Sequence, residues 1–283
     1  MNPFDLRGPE FLVFYLLLLI GTLVALAFLR RSREAGPLPP QELNDPYLYA
    51  FLSGGPRLAV NAATMALVDR GALKMGKKTL TLSEDPALQT TSISIEKAVL
   101  DHFRMNFSTP RELLNKAKNL TACVEYENRL RSQKLLPDSA TKQERRSLTV
   151  KAVLLLVGVS LIKIFVAIAR GHKNIAFLII LTVIGCIVAI AVGNPRRTVR
   201  GNEYLKNAQS LFSRLKGSAR RKDKPAGADL LWAAALFGVA TVPQVKYLRD
   251  LGMIDTSSSY GGDSGGGCGG GGCGGGGCGG CGG

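Results

Sequence analysis

Three long apolar runs constrain this chain more than any other feature. The first, Phe11 to Leu29, reads FLVFYLLLLIGTLVALAFL; Leu148 to Ala169 and Ile175 to Val192 follow far downstream as a closely spaced pair. Each is close to the ~20 residues that a helix rising 1.5 Å per residue needs to cross a hydrocarbon core. Three membrane-spanning helices are therefore expected, at 11–29, 148–169 and 175–192. The first is not a secretory signal. It opens on the mixed-charge MNPFDLRGPE and ends at Arg30, Arg31 and Arg33, which marks an uncleaved anchor with its N-terminus outside.

The second and third runs are joined only by Arg170, Gly171, His172, Lys173 and Asn174, so they form an antiparallel hairpin. Lys142, Arg145 and Arg146 precede the pair and Arg196, Arg197 and Arg200 follow it, which puts both flanks in the cytoplasm. Equal rise from the link sets Ser160 opposite Gly185 and Lys163 opposite Thr182. Gly158, Ser160 and Gly185 are small enough to let the two helices approach closely. Lys163 is the intramembrane polar residue. Two readings stand: an ion or proton path, or a stem that snorkels toward the outer surface. A fourth run, Leu230 to Val242, is short for a span and stops at Pro243. It is a candidate fourth span or a buried helix, and the choice decides which side holds the C-terminus.

The formal net charge of +15 would suggest nucleic acid in a soluble chain. Residues 34–147 argue against that, with 16 Lys or Arg against 13 Asp or Glu, a net of +3. Segment 30–44 is a basic, Pro-rich linker, expected to hold the next domain off the membrane. Residues 45–138 are the cytoplasmic domain. PYLYAFLSGG and PRLAVNAATMALVDRG read as two helices closed by Gly, and ALKMGKKTLTL as a hairpin. Helix, helix, hairpin outlines a winged-helix-like unit over 45–85, with a weaker second unit over 94–138. Its second helix offers only Arg57, Asn61 and Arg70 to a DNA groove, so nucleic acid is disfavoured against a packing or partner-binding role.

The densest basic cluster is the juxtamembrane segment 195–224, with ten Lys or Arg against Glu203 and Asp223. Arg196, Arg197, Arg200, Arg214, Lys216, Arg220, Arg221, Lys222 and Lys224 are expected to face lipid. Leu205, Ala208, Leu211, Phe212 and Leu215 form an apolar stripe among them. A basic amphipathic helix beside a span reads as lying on anionic headgroups, or as a plain topology signal. Both readings make membrane lipid a partner.

The tail, 256–283, is nearly all Gly, Ser and Cys and is expected to be disordered. Cys268, Cys273, Cys278 and Cys281 could wrap zinc or copper(I), cross-link to partner thiols, or mark a plain tether. No catalytic constellation is legible. Asp101-His102 has no nucleophile beside it, and the tail glycines follow no strand and open no helix.

The architecture read from the residues is mainly α: a multi-pass membrane protein with an N-terminal anchor, a small winged-helix-like cytoplasmic domain, a transmembrane hairpin and a disordered Gly/Cys tail. The opening NPFDLRGPEFL, the segment DPYLYAFLSGGPRLAVNAATMALVDRGAL, the basic stretch after the hairpin, ALFG near Leu236 and the closing CGGGGCGGGGCGGCGG carry a further likeness. Together they resemble a family of uncharacterised bacterial membrane proteins that join a membrane-and-helical region to a Gly/Cys tail. That resemblance implies a bacterial inner-membrane location and supplies no activity or site residue. The function expected is a membrane-anchored interaction or scaffold protein that binds another protein. The alternative is metal or redox handling by the tail thiols.

Overall fold

Each of the three apolar runs is one helix in the computed structural model, which describes residues 8–40, 44–76, 79–105, 109–169, 176–213, 227–239 and 246–253. Helix α1 is Gly8–Glu34, α7 is Ser139–Ala169 and α8 is Ala176–Gly193; all three are long and apolar enough to cross a membrane. Their outward faces are apolar: Val13, Leu17, Val24, Leu154, Phe165, Ile180 and Ile187 are exposed. Their inward faces pack Phe11, Tyr15, Leu19, Leu156, Leu178 and Ala189 into a narrow common core.

The register of α7 against α8 differs from the expected one by about a turn. Thr182 Oγ1 donates to Ser160 Oγ at 2.9 Å, and a Cβ on Gly193 would meet Thr149. Helices that stagger and cross need not keep equal depth from their link, so the hydroxyl pair and the Gly193 notch set the register instead. Gly185 does sit at a close approach, against Leu19 of α1. Gly158 does not: a Cβ there would meet nothing within 4 Å.

Between the first two long helices lie α2 (Pro46–Gly54), α3 (Pro56–Asp69), strands β1 (Leu73–Met75) and β2 (Leu80–Leu82), α4 (Ser94–Met105), α5 (Pro110–Lys116) and α6 (Thr121–Ser132). Local chemistry sets these boundaries. Asp45 caps α2, accepting from Tyr47 N at 2.9 Å, and Pro46 and Pro56 occupy first-turn positions where a missing N–H costs nothing. Gly55, at φ +78°, turns the chain between α2 and α3, and Gly71, at φ +79°, ends α3. The hairpin is antiparallel, with Leu73 opposite Leu82 and Met75 opposite Leu80.

After α8 come α9 (Val199–Leu211), α10 (Gly227–Phe237) and α11 (Lys246–Asp250). They return to the segment that precedes α7. One hydrophobic core joins Leu48, Leu52, Leu58 and Leu67 to Leu130, Tyr204, Leu236 and Leu251, so the two units expected at 45–85 and 94–138 share it with residues beyond α8. Tyr49 stacks on Tyr204 with ring centroids 5.6 Å apart, and Trp232 lies between Tyr49 and Phe212 at 5.6 and 5.0 Å. Asn61 donates from Nδ2 to Met253 O at 3.1 Å. Helix α3 is the centre of this module, with every residue from Leu58 to Met65 buried.

Helix α10 covers the fourth apolar run as far as Phe237. It has 11 residues, about 16 Å of helix, and buries Leu230, Ala233, Ala234, Ala235 and Leu236 against the module. Its hydrophobicity belongs to a protein core.

Candidate functional site

The apolar helices meet the helical module at one junction, built around a buried ion pair. Arg145 Nε lies 2.6 Å from Glu34 Oε1, and the two side chains are 3% and 7% exposed. Arg145 also donates to Pro195 O at 2.7 Å and Arg197 O at 3.2 Å, while Glu34 Oε2 accepts the Val199 N–H at 2.9 Å. One guanidinium thus ties the end of α1, the start of α7 and the chain leaving α8. Arg30 adds a bond to Val192 O at 2.6 Å. Nearby, Thr198 caps α9 and donates to Leu135 O at 2.9 Å. This arrangement revises the expected linker. Residues 30–34 are helical, and the Pro-rich stretch does not space the module away, because Glu34 binds the start of α9 directly.

Beside the junction is a cleft of about 580 Å³ whose lining includes Lys118, Arg131, Lys142, Arg145, Arg146 and Arg196. The single carboxylate among its lining residues is Glu127, paired with Arg131 at 2.5 Å. Cys123 also lines the cleft, only 1% exposed, and burial pushes its thiol up to about 12, so it is neutral at physiological pH. A further hollow of about 680 Å³ continues along α7, lined by Lys142, Arg146, Val150 and Lys151 among others. The arrangement can hold an anion. Among the described residues no group of His, Cys, Asp and Glu could hold a metal ion.

The basic residues expected to face lipid divide. Arg197 donates to Ser53 O and to Asn202 Oδ1, and Arg200 donates to Ala35 O at 3.1 Å, so both serve the backbone of the protein. Arg196 reaches over Gly55 into the cleft. Arg214, Lys216, Arg220, Arg221, Lys222 and Lys224 lie outside the described residues, as do Leu215 and the tail with Cys268, Cys273, Cys278 and Cys281. The apolar stripe of α9 is corrected: Leu205 and Ala208 are buried in the module core, Phe212 stacks on Trp232, and only Leu211 is exposed. An amphipathic face needs an apolar cover, and here the cover is protein.

Lys163 also points inward. It is 9% exposed, with its Nζ 4.5 Å from the centre of the Phe11 ring, so it faces α1 near that helix's first turn. Tyr15 joins the same interface by donating to Leu156 O at 3.2 Å.

Two other polar clusters lie in the helical module away from the junction. Glu96, 3% exposed, accepts from Tyr47 Oη, from Arg70 at 2.8 Å and from Thr91 at 2.8 Å. Burial, then the Glu96 carboxylate, hold the Tyr47 hydroxyl far above its ordinary range. Asp101 pairs with Arg104 at 3.5 Å, and His102 lies edge-on to Phe103, its pKa lowered mainly by burial.

No protein-family model, curated protein or solved structure matches the chain.

Sequence reasoning missed the Glu34–Arg145 pair and the cleft. Glu34 read as part of a linker and Arg145 as one topology charge among three. The cleft's six cations come from four separate segments, and no local signal unites them.

Proposed function

We infer that this is a membrane-anchored interaction or scaffold protein, held by three spans with its helical module against the cytoplasmic face of a bacterial inner membrane. The observation that carries the reading is the shared core. Residues before α7 and residues after α8 pack together in it. A bilayer cannot divide one core, so both flanks of the hairpin belong on one side, together with the end of α1. Arg30, Arg31, Arg33, Arg146 and Arg196 gather on that side, which by the positive-inside bias is the cytoplasm. Since α10 is a core helix, the tail leaves the module on the same side. The likeness to Gly/Cys-tailed bacterial membrane proteins supports the inner membrane. The α2–α3–hairpin order is winged-helix-like; with α3 enclosed, the unit serves as a packing framework that offers its outer helices to a protein partner.

Two experiments test the reading. In a variant lacking Cys123 and Cys186, a membrane-impermeant maleimide should label the tail thiols only after cell lysis. Labelling of intact cells overturns the topology. Photo-crosslinkers at exposed Met105 and Val124 should trap a discrete adduct that a crosslinker at Leu154 does not. No adduct, combined with loss of bound zinc or copper on tail removal, would replace scaffolding with metal handling.

A further inference from the structure

We propose that the basic cleft at the junction is a binding site for the headgroup phosphate of an anionic phospholipid. The inference rests on the membrane placement above. Four features converge on it. The cleft sets six cations against one carboxylate, Glu127, which pairs with one of the six, Arg131, and leaves a net excess of five. Field lines from so many like charges focus in a cleft between low-dielectric walls. Its location is also specific: Lys142, Arg145 and Arg146 lie on the first turns of α7, and Arg196 follows α8 closely, so the cleft opens at headgroup depth.

The remaining features identify the occupant as a lipid. Lys142, Arg146, Val150 and Leu154 recur every four residues and so share one face of α7. The first three line the hollow that continues the cleft, and Val150 and Leu154 are 47% and 65% exposed. A ligand on this face would meet cations first and then bare apolar side chains toward the middle of the helix. A soluble anion has no use for that second half; an acyl chain does. Basic pockets between cytoplasmic helix ends are where such headgroups bind. Not every cation is available. Arg145 is held by Glu34 and two carbonyls and supplies fixed charge, whereas the exposed Lys142 and Arg146 can close on a phosphate.

The test is native mass spectrometry of the full chain in detergent, titrated with phosphatidylglycerol, phosphatidylcholine or inorganic phosphate. Phosphatidylglycerol should bind at least tenfold more tightly than phosphatidylcholine, and millimolar inorganic phosphate should not displace it. Each neutralised cation should weaken the anionic lipid roughly fivefold, so R131Q/K142Q/R146Q should lose about a hundredfold. The equally neutralised K74Q/K97Q/R104Q, away from the cleft, should lose little. Equal losses in the two triple variants, or equal affinity for the two lipids, overturn the site. Inorganic phosphate that binds as tightly as the lipid overturns the lipid assignment. If the cleft variant melts early without lipid, K142Q and R146Q are read singly, since both replace exposed side chains. Binding in detergent does not depend on orientation, so failure here leaves the topology standing, and tail labelling from outside would move the site to the other leaflet without abolishing it.

Discussion

Replacing Arg145 by Met should destabilise the junction far more than replacing any of its exposed basic neighbours. Met keeps most of the aliphatic stem and removes the charge. What remains is the Glu34 carboxylate, 7% exposed, with one N–H donor from Val199 and, among the described residues, no other ion pair, and the Pro195 and Arg197 carbonyls that the guanidinium had satisfied. Leaving a buried charge unpaired costs about 3–5 kcal/mol. For a chain of this size each kcal/mol lowers the melting temperature by about 2–4 °C, so a fall of about 6–20 °C is expected. Cys123 is a built-in reporter. Its thiol is buried and neutral in the folded protein and becomes reactive on unfolding, so maleimide labelling against temperature, in a variant with the other cysteines removed, reads the transition. Arg146→Met, at an exposed position, should shift the melt by less than about 2 °C, within the usual range for surface substitutions. Adding Glu34→Gln to Arg145→Met should recover at least half of the loss, because the amide oxygen can still accept from Val199 while the stranded charge is gone. Arg145→Met melting with wild type, or a double variant as unstable as the sum of the singles, would refute the assignment.

Tyr204→Ala should cost about 3–5 kcal/mol by opening the Tyr49–Tyr204–Trp232–Phe212 stack; because Trp232 is the only tryptophan, its emission should shift to the red. Gly193→Val should separate α7 from α8, since even a Cβ there would overlap Thr149, whereas Gly158→Ala, in open space, should be neutral or stabilise by up to about 1 kcal/mol; disulfide trapping between engineered cysteines on the two helices would separate the cases. Alkaline pH should destabilise the module. Cys123 and Tyr47 both have folded pKa values above their unfolded ones, so the folded state binds the extra protons, and stability present at neutral pH is lost as pH rises through about 9–10 and beyond, measurable as a falling melting temperature. Acid should act through His102 in the opposite direction. Its folded pKa is depressed, so stability should fall as pH drops below about 6.5, and His102→Gln should flatten that limb.

Helix existence was legible along most of the chain because its signals are local. Run length marked α1, α7 and α8, and Asp45, Pro46, Pro56 and Gly71 marked the ends of α2 and α3 within a residue or two of where they stand. The hairpin followed from turn chemistry around Gly76. What could not be read was which surface each apolar face would meet. Leu205 and Ala208 on α9, and Leu230 to Leu236 on α10, carry the same hydrophobic spacing whether lipid or protein covers them. Only the return of the chain after α8 to pack on α2 and α3 chose protein for these residues. Charge had the same ambiguity. Counting Arg145, Arg197 and Arg200 gives a topology bias, but the count is blind to whether a guanidinium faces water, a headgroup or a buried carboxylate more than a hundred residues away. Glu34 and Arg145 are 111 residues apart, and their pairing depends on how α1 and α7 pack, a relation that no window of sequence contains.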